Sequence, residues 1–270
     1  MRRPTTPKAK KRFGQNFLID SYVIEQIIRL IKPKSGDHIL EIGPGAGALT
    51  GDLVNTKASV AAIEVDKELA QSLARNFVDA SNFTLHNNDV MKFDLSAISD
   101  QSSSWKVVGN LPYNIATPLI MKLVTIKHFW SEMTFMLQKE VALRLTARCG
   151  SHSYGRLSIM AQRQAQISYK LEVDATSFEP QPKVESAIVQ IHPLIRNRNS
   201  RVDACLEKIV RLAFSTRRKT IANSLKSFVP VEVIKCANID PKCRAETLAI
   251  TDYERLTGKM LDASLDKNCL

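Results

Sequence analysis

The sequence lacks the short patterns that most often bind a structural metal ion. It contains no Cys-x-x-Cys pair and no His-Glu-x-x-His motif, and its five cysteines are scattered along the chain. An odd number of scattered cysteines is typical of a protein from a reducing compartment, without a disulfide framework. We therefore expect a cytoplasmic protein with no metal centre.

Long apolar runs are also missing. No run approaches the ~20 residues that a helix needs to span a bilayer, and the N-terminus is basic and polar, without the apolar segment of a secretory signal. Hydrophobic residues make up 44% and charged residues 24% of the 270-residue chain, as in ordinary globular proteins. The sequence therefore predicts one large or two modest domains and no membrane-spanning segment.

Acidic residues are scarce at the two ends of the chain. Residues 1–12 contain six basic residues and no acidic one, and residues 196–270 contain fifteen basic against nine acidic residues. The segment between them has 17 basic and 18 acidic residues, so the net charge of +11 comes from the ends. Basic ends around a neutral body favour binding to a polyanion such as nucleic acid. An anionic membrane surface is the alternative partner.

Short apolar runs alternate with helical patterns along the middle of the chain. Strands are predicted for the runs HILEIG, SVAAIEVD, FTLHNND, WKVVGN and MTFMLQ. Helical patterns follow most of these runs, and a polar linker through SDQSSS separates FTLHNND from WKVVGN. This alternation predicts an α/β fold with a parallel sheet covered on both faces. A further helix is predicted over LSIMAQRQAQI. The runs YKLEVDA and SAIVQIH follow with no helix between them, which predicts an antiparallel edge.

The pattern changes near residue 195. Beyond it only helical segments are predicted, such as DACLEKIVRLAF and RKTIANSLKSF. We therefore divide the chain into a flexible basic arm over 1–12, an α/β domain over 13–195 and a small helical domain over 196–270.

A glycine-rich turn, EIGPGAGALT, joins the first predicted strand to a helix. Gly43, Gly45 and Gly47 allow the backbone to turn sharply and to approach a ligand closely. Glu64 ends the next predicted strand, where a carboxylate can accept hydrogen bonds from ribose hydroxyls. A tight turn with a capping acid would explain the same residues. Three glycines with a carboxylate placed in this way favour a nucleoside site.

The glycine spacing alone does not identify the nucleoside, because it also fits the relaxed dinucleotide pattern G-x-G-x-x-G/A. Pro44 argues against a dinucleotide, since it lacks a backbone N–H that could bind a pyrophosphate. Glu41, Glu64 and Asp89 lie at three predicted strand ends, and Asp89 can read an adenine edge. Three acids suit a cofactor with a cationic reactive end. S-adenosylmethionine, a sulfonium without phosphate, is such a cofactor.

The segment GNLPYNIATP lies at the end of the fourth predicted strand, where α/β sheets bind ligands. Asn and Pro are turn formers, so a simple turn is one interpretation. The alternative is a methyl-acceptor site. The Asn110 side-chain oxygen and a backbone carbonyl beside Pro112 can accept hydrogen bonds from an exocyclic amine, which stabilises charge that develops on nitrogen. Tyr113 supplies a face on which an extruded base can stack.

Seven motifs in this order resemble the KsgA/RsmA family of small-subunit (16S) rRNA adenine N6,N6-dimethyltransferases. They run from about Lys11 to Arg255 and are KRFGQNFL, EIGPGAGALT, GNLPYNIATPL, FMLQKEVALRL, YGRLSIMAQ, SFEPQPKVESAIV and AFSTRRKTIANSL. The resemblance implies a class I (Rossmann-like) methyltransferase domain that uses S-adenosylmethionine, followed by a small all-helical domain. It also implies dimethylation of two adjacent adenosines near the 3′ end of small-subunit rRNA during ribosome biogenesis.

The resemblance further implies three sets of site residues. The cofactor-binding set is Asn16, Leu18, Gly43, Gly45, Glu64, Asp89 and Asn110. The catalytic set is Asn110, Leu111, Pro112, Tyr113 and Phe178. The RNA-binding set is Lys10, Lys11, Arg12, Arg217, Arg218 and Lys219.

Several of these residues have defined roles in that family pattern. Asn16 and Leu18 would line the methionine side of the cofactor, Glu64 would bind its ribose and Asp89 its adenine. Phe178 would be a second aromatic wall facing Tyr113. From the sequence alone, Phe178 is better explained as a core residue, and only the motif assigns it to the site. The basic run at 217–219 is also explained as a solvated helix face.

Two other functions stay open at this point. The macrolide-resistance methylases share the glycine loop and a related Asn-Pro motif, but act on large-subunit rRNA. A ribosome-assembly checkpoint would act mainly by binding. Intact Glu64, Asp89 and Asn110 favour retained catalysis. The expected partner is small-subunit rRNA within a pre-ribosomal 30S particle, bound by a monomer.

Overall fold

A computed structural model of the protein describes residues 9–98, 104–126, 128–195, 199–216 and 218–266. The chain forms two compact units. The first contains the residues up to Ala142 together with Ala165–Pro193, and the second contains Leu143–Gln164 and the residues from Leu194 onward. Among the described residues, no helix combines the length and the hydropathy needed to cross a membrane.

The first unit contains the strands and most of the helices that surround them. The strands are β1 (Phe17–Leu18), β2 (His38–Ile42), β3 (Ser59–Glu64), β4 (Phe83–Asn87), β5 (Trp105–Asn110), β6 (Trp130–Gln138), β7 (Ala165–Val173), β8 (Phe178–Glu179) and β9 (Ser186–Pro193). The helices are α1 (Ser21–Ile31), α2 (Thr50–Asn55), α3 (Lys67–Asn76) and α4 (Tyr113–Leu123), and α5 (Lys139–Thr146) continues into the second unit.

Seven strands form one sheet, in the order β4-β3-β2-β5-β6-β9-β7, within the described part of the chain. Strands β2 to β6 run parallel, whereas β9 is antiparallel to both β6 and β7. The predicted α/β fold with an antiparallel edge is therefore confirmed. The central strands are continuous apolar runs because they are buried on both faces: Ile39, Leu40 and Ile42 of β2 are all buried.

Two local predictions differ from the structure. The helix predicted over LSIMAQRQAQI ends as α6 (Arg156–Gln162), and β7 begins at Ala165. Pairing with β9, such as Ile167 opposite Ile191, outweighs the helical preference of this segment. The short antiparallel pair of β1 and β8 was not predicted, because two residues are too few for a periodic pattern.

The second unit is helical. Its remaining helices are α7 (Ser200–Ala213), α8 (Ile221–Leu225), α9 (Val231–Cys236) and α10 (Ile250–Asp266). One hydrophobic core joins Tyr154 and Ile159 to Leu206, Ile209 and Tyr253. Residues 143–164 therefore pack with the C-terminal helices, although the predicted range 13–195 placed them in the first domain.

Polar contacts also hold residues 143–164 against the C-terminal helices of the second unit. The Tyr154 hydroxyl donates to the Leu248 carbonyl at 3.0 Å. The buried Arg163 guanidinium bonds Asp203 at 2.6 Å and Glu254 at 3.2 Å. These contacts link residues far apart in sequence, so no local pattern could reveal them.

Candidate active site

A cavity of about 280 Å³ opens at the carboxyl ends of β2, β3 and β5 and beside the end of β4. Its walls come from residues 12–18, 41–46, 48–49, 63–65, 88–90 and 110–115. Strands β2 to β5 are those predicted from HILEIG, SVAAIEVD, FTLHNND and WKVVGN. Ligands of open α/β sheets bind at this edge.

The glycines of the turn after β2 have backbone angles that favour glycine, and two of them have close neighbours. Gly43 and Gly45 have φ angles of 65° and 59°, in the left-handed region that favours glycine. A Cβ atom on Gly45 would lie 3.3 Å from the Phe17 ring, which tightly limits any side chain there. A Cβ atom on Gly47 would lie 3.0 Å from Leu73, so this third glycine serves helix packing.

The backbone N–H groups of the turn are already engaged within the protein. The Gly43 N–H donates to the Ile63 carbonyl at 2.9 Å, and the Gly47 N–H donates to the Pro44 carbonyl at 2.9 Å. The Gly45 N–H donates to Glu64 Oε2 at 3.0 Å, and Pro44 has no N–H. These three N–H groups are therefore committed within the protein, which disfavours a pyrophosphate at the turn.

Glu64 is fixed at the end of β3 with only 4% of its surface exposed. Its Oε1 accepts from the Asp66 N–H at 2.8 Å, and its Oε2 from the Gly45 N–H. Burial raises the pKa of Glu64, while these two N–H groups oppose that shift. Each carboxylate oxygen has a second lone pair, so the side chain can still accept from a pair of ribose hydroxyls.

Glu41 and Asp89, the other two predicted acids, differ in their surroundings. Glu41 is 1% exposed, and its Oε2 accepts from the Thr50 hydroxyl at 2.7 Å. Burial raises the pKa of Glu41 to about 7. Glu41 therefore anchors the start of α2 more than it offers a charge to a ligand, which corrects the prediction. Asp89 is half-buried in the wall, and its Oδ1 accepts from the Met91 N–H at 2.9 Å.

Asn110 ends β5 with its carboxamide fixed in one orientation. Its Nδ2 donates to the Asn16 carbonyl at 2.9 Å, so the side-chain oxygen lies on the other arm of the carboxamide. The Leu111 N–H donates to the Met136 carbonyl at 3.1 Å, which holds the segment against β6. The Pro112 carbonyl accepts from Ile115 and Ala116 at the start of α4.

The two predicted aromatic residues lie in different environments. Tyr113 lines the cavity and is half-buried. Phe178 is 3% exposed and packs in the core with Leu18 and Val23, outside the lining of the cavity. The structure thus brings Asn110, Tyr113 and the residues between them together, but not Phe178.

The segment 12–18, which carries Asn16 and Leu18, forms one wall of the cavity. A polar cluster holds it in place. Asp66 Oδ1 accepts from Lys10 Nζ at 2.8 Å, and Asp66 Oδ2 accepts from Gln15 Nε2 at 3.1 Å. Asp66 is not among the predicted site residues. An aspartate two residues after the end of β3, in the N-cap position of α3, is the sequence signal by which it could be found.

The predicted RNA-binding residues are only partly described. Lys10, one of the predicted RNA-binding residues, forms ion pairs with Asp66 at 2.8 Å and with Glu68 at 3.0 Å. The Arg12 guanidinium lies over the Phe13 ring, 4.6 Å from its centre. Three parts of the predicted set lie outside the described residues: residues 1–8 of the arm, the side chain of Lys11, and Arg217. Arg218 and Lys219 are exposed before α8.

Histidine, cysteine and carboxylate side chains do not gather into a metal-binding cluster anywhere in the described ranges.

Comparison with known proteins gives consistent matches over most of the chain. The family model for ribosomal RNA adenine dimethylase matches residues 6–260. A ribosomal RNA small subunit methyltransferase A from Pseudomonas fluorescens is 44% identical over 256 residues, which is 94% of each chain. The protein of the same name from Pseudomonas aeruginosa is 43% identical over 94% of this chain and 96% of its own.

Solved structures show the same architecture. A dimethyladenosine transferase from Plasmodium falciparum superposes with a TM-score of 0.75 at 26% identity, over 89% of this chain and 95% of its own. The 23S rRNA methyltransferase ErmE has a TM-score of 0.73 at 24% identity, over 91% and 99%, which shows a shared fold. The predicted fold class, a Rossmann-like methyltransferase domain with C-terminal helices, is confirmed. The match to the family model over nearly the whole chain, together with relatives above 40% identity, shows that this chain belongs to the ribosomal RNA adenine dimethylase family.

Proposed function

We propose that this protein transfers methyl groups from S-adenosylmethionine to N6 of two adjacent adenosines near the 3′ end of small-subunit rRNA, and dimethylates each. The observation that carries the proposal is the carboxamide of Asn110. Its nitrogen is held by the Asn16 carbonyl at the edge of the cavity, so its oxygen is the atom that an incoming amine would meet.

The residues of the cavity fit S-adenosylmethionine. The turn at Gly43 and Gly45 lets the backbone approach a ligand, and its engaged N–H groups disfavour a phosphate-bearing one. Glu64 would accept from the ribose hydroxyls and Asp89 from the adenine amine. Asn16 and Leu18, in the wall formed by residues 12–18, would hold the methionine end. When bound, this cofactor supplies a methyl group on a positively charged sulfur.

The residues after β5 would activate the target amine without a strong base. The lone pair of an exocyclic aromatic amine is delocalised, and the nitrogen sheds its proton only as positive charge develops. The Asn110 oxygen would accept one N–H. Because the Pro112 carbonyl already accepts from Ile115 and Ala116, the second acceptor would be the Leu111 carbonyl. Fixed acceptors stabilise the developing charge, and the Tyr113 face would orient the extruded base.

The two basic ends of the chain would bind rRNA phosphates. Arg12 borders the cavity, and Arg218 and Lys219 are exposed in the second unit. Lys11 and Arg217 complete the proposed contacts. A cytoplasmic monomer that acts on a pre-ribosomal 30S particle is part of this proposal, and a checkpoint role in assembly can coexist with catalysis.

Transfer of tritiated methyl groups tests the proposal most simply. Under-methylated small-subunit particles should accept label from the purified protein, and nucleoside analysis should give N6,N6-dimethyladenosine. Large-subunit particles are the matched control and should stay unlabelled. Label confined to the large subunit would support the alternative of a large-subunit methylase and would reject the proposal.

A further inference from the structure

A buried serine holds the far end of the Tyr113 ring. Ser186 Oγ lies 2.9 Å from the Tyr113 hydroxyl oxygen, within hydrogen-bond distance, and either group can donate. Ser186 is 1% exposed, whereas Tyr113 is half-buried and lines the cavity. The ring is therefore attached at two points, through its Cβ atom to α4 and through its hydroxyl to β9.

The backbone that carries Ser186 is rigid. As the first residue of β9, Ser186 is paired with Gln138 of β6 on one side and with Val173 of β7 on the other. The carbonyl of the preceding residue, Glu185, accepts from the Lys139 N–H at 2.9 Å. A hydroxyl on such a backbone can fix the direction of the group that it bonds.

The start of α4 fixes the other end of the ring. Pro112, the N-cap of α4, has its φ angle of −54° restricted by its ring, and Tyr113 follows as the first helical residue. A tyrosine side chain has two principal rotatable bonds. With its backbone and its hydroxyl both held, the plane of the ring is determined.

We propose that Ser186 is a positioning residue, which sets the plane of Tyr113 against which the target adenine stacks. This inference rests on the proposed function. Loss of the hydroxyl bond leaves the ring in place but lets it rotate, so the amine is less often in line with the reacting methyl group. Since the proposed phosphate contacts lie at the basic ends of the chain, we expect a lower kcat with little change in KM.

A double-mutant cycle tests this with Ser186→Ala, Tyr113→Phe and the double variant. Tyr113→Phe keeps the ring and removes the same bond from the other side. We expect each single variant to lower kcat on under-methylated small-subunit particles by about 3- to 10-fold, the range set by one neutral hydrogen bond. KM for the particles should change less than about twofold, and the double variant should equal Tyr113→Phe within about twofold.

Ser158→Ala is the matched control. Ser158 is also buried, and its hydroxyl donates to the Arg144 carbonyl at 2.6 Å in the second unit. Any effect of Ser158→Ala should be the same in the wild-type and Tyr113→Phe backgrounds.

Two results overturn the inference. One is an unchanged kcat in Ser186→Ala, and the other is an equal loss from Ser186→Ala in both backgrounds, which would show a role independent of Tyr113. If Ser186→Ala does not fold, an unchanged kcat in Tyr113→Phe overturns the inference as well. In each case an active wild-type protein leaves the proposed function standing, whereas a wild-type protein that methylates no small-subunit adenosine removes both.

Discussion

At the scale of single residues, two glutamates at neighbouring strand ends have different tasks. Glu64 is held by two backbone N–H groups that support its charge. Glu41 is more deeply buried, and the Thr50 hydroxyl is its hydrogen-bond donor. Both were predicted to face a ligand from their positions at strand ends. Only the contacts of each carboxyl group separate the acid proposed to bind the ribose, Glu64, from the more structural one, Glu41.

Glu41 should make stability depend on pH. Its pKa rises from 4.5 to about 7 on folding, so its neutral form stabilises the fold fully below about pH 4.5, and this contribution is lost as the pH rises through about 7. In the wild type, the free energy of unfolding should fall by up to ~3 kcal/mol between pH 5 and 8, and Glu41→Gln should abolish this fall. Urea unfolding at pH 5 and at pH 8 measures both free energies. The exposed Glu140→Gln should keep the wild-type pH slope, and an equal slope in Glu41→Gln would count against the account.

Phe178 should matter more for stability than for methyl transfer. The ring is buried with Leu18, so Phe178→Leu should lower the melting temperature while transfer at low temperature stays within about threefold of wild type. Tyr113→Leu, which removes the aromatic face that lines the cavity, should lower transfer by about 5- to 150-fold, because base stacking is worth ~1–3 kcal/mol. A comparable loss of transfer in Phe178→Leu would show that RNA binding exposes this ring as a second wall.

At the scale of elements, β2 and β5 approach so closely that one position must be glycine. A Cβ atom on Gly109 would lie 2.4 Å from the Ile42 carbonyl oxygen, a distance that real Cβ atoms do not adopt. This contact places the end of β5, and hence Asn110, directly beside the glycine turn after β2. The site geometry therefore depends on the absence of one methyl group in the sheet.

Gly109→Ala should separate these strands. We expect a loss of at least ~2 kcal/mol in the free energy of unfolding, since the clash is with backbone that cannot rotate away. The control is Gly51→Ala in α2, where a Cβ atom has no neighbour within 4 Å and alanine favours the helix. Thermal unfolding should show a lower melting temperature for Gly109→Ala and an equal or higher one for Gly51→Ala. Equal behaviour of the two variants would contradict the argument.

The sequence predicts these elements well where the pattern is local. The central strands are continuous apolar runs, and the glycines and Asn110 follow them directly, so their meeting at one edge follows from parallel pairing. Three features depend on partners that are distant in the chain: where α6 ends, the pairing of β1 with β8, and the packing of residues 143–164 in the second unit. The same holds for Lys10, whose acidic partners, Asp66 and Glu68, lie at the start of α3.

At the scale of the whole molecule, charge should govern the affinity for rRNA. The excess of basic residues lies at the two ends of the chain, and phosphate contacts release counterions. Affinity for small-subunit particles should therefore fall steeply as salt rises.

Lys219→Ala should reduce the slope of log K against log salt by about 1. Lys10→Ala is the matched control and should leave the slope unchanged, because Asp66 and Glu68 already neutralise Lys10. A flat salt response, or equal slopes for the two variants, would contradict this picture.

The most direct test of the account is the single-turnover rate of Asn110→Ala on under-methylated small-subunit particles. The variant removes the carboxamide oxygen that would accept from the target amine, so the rate should fall by about 10²-fold or more, while particle binding stays within about twofold. Asn76→Ala, at an exposed site on α3, should match the wild type. An unchanged rate in Asn110→Ala would contradict the account, because the end of β5 would then take no part in methyl transfer.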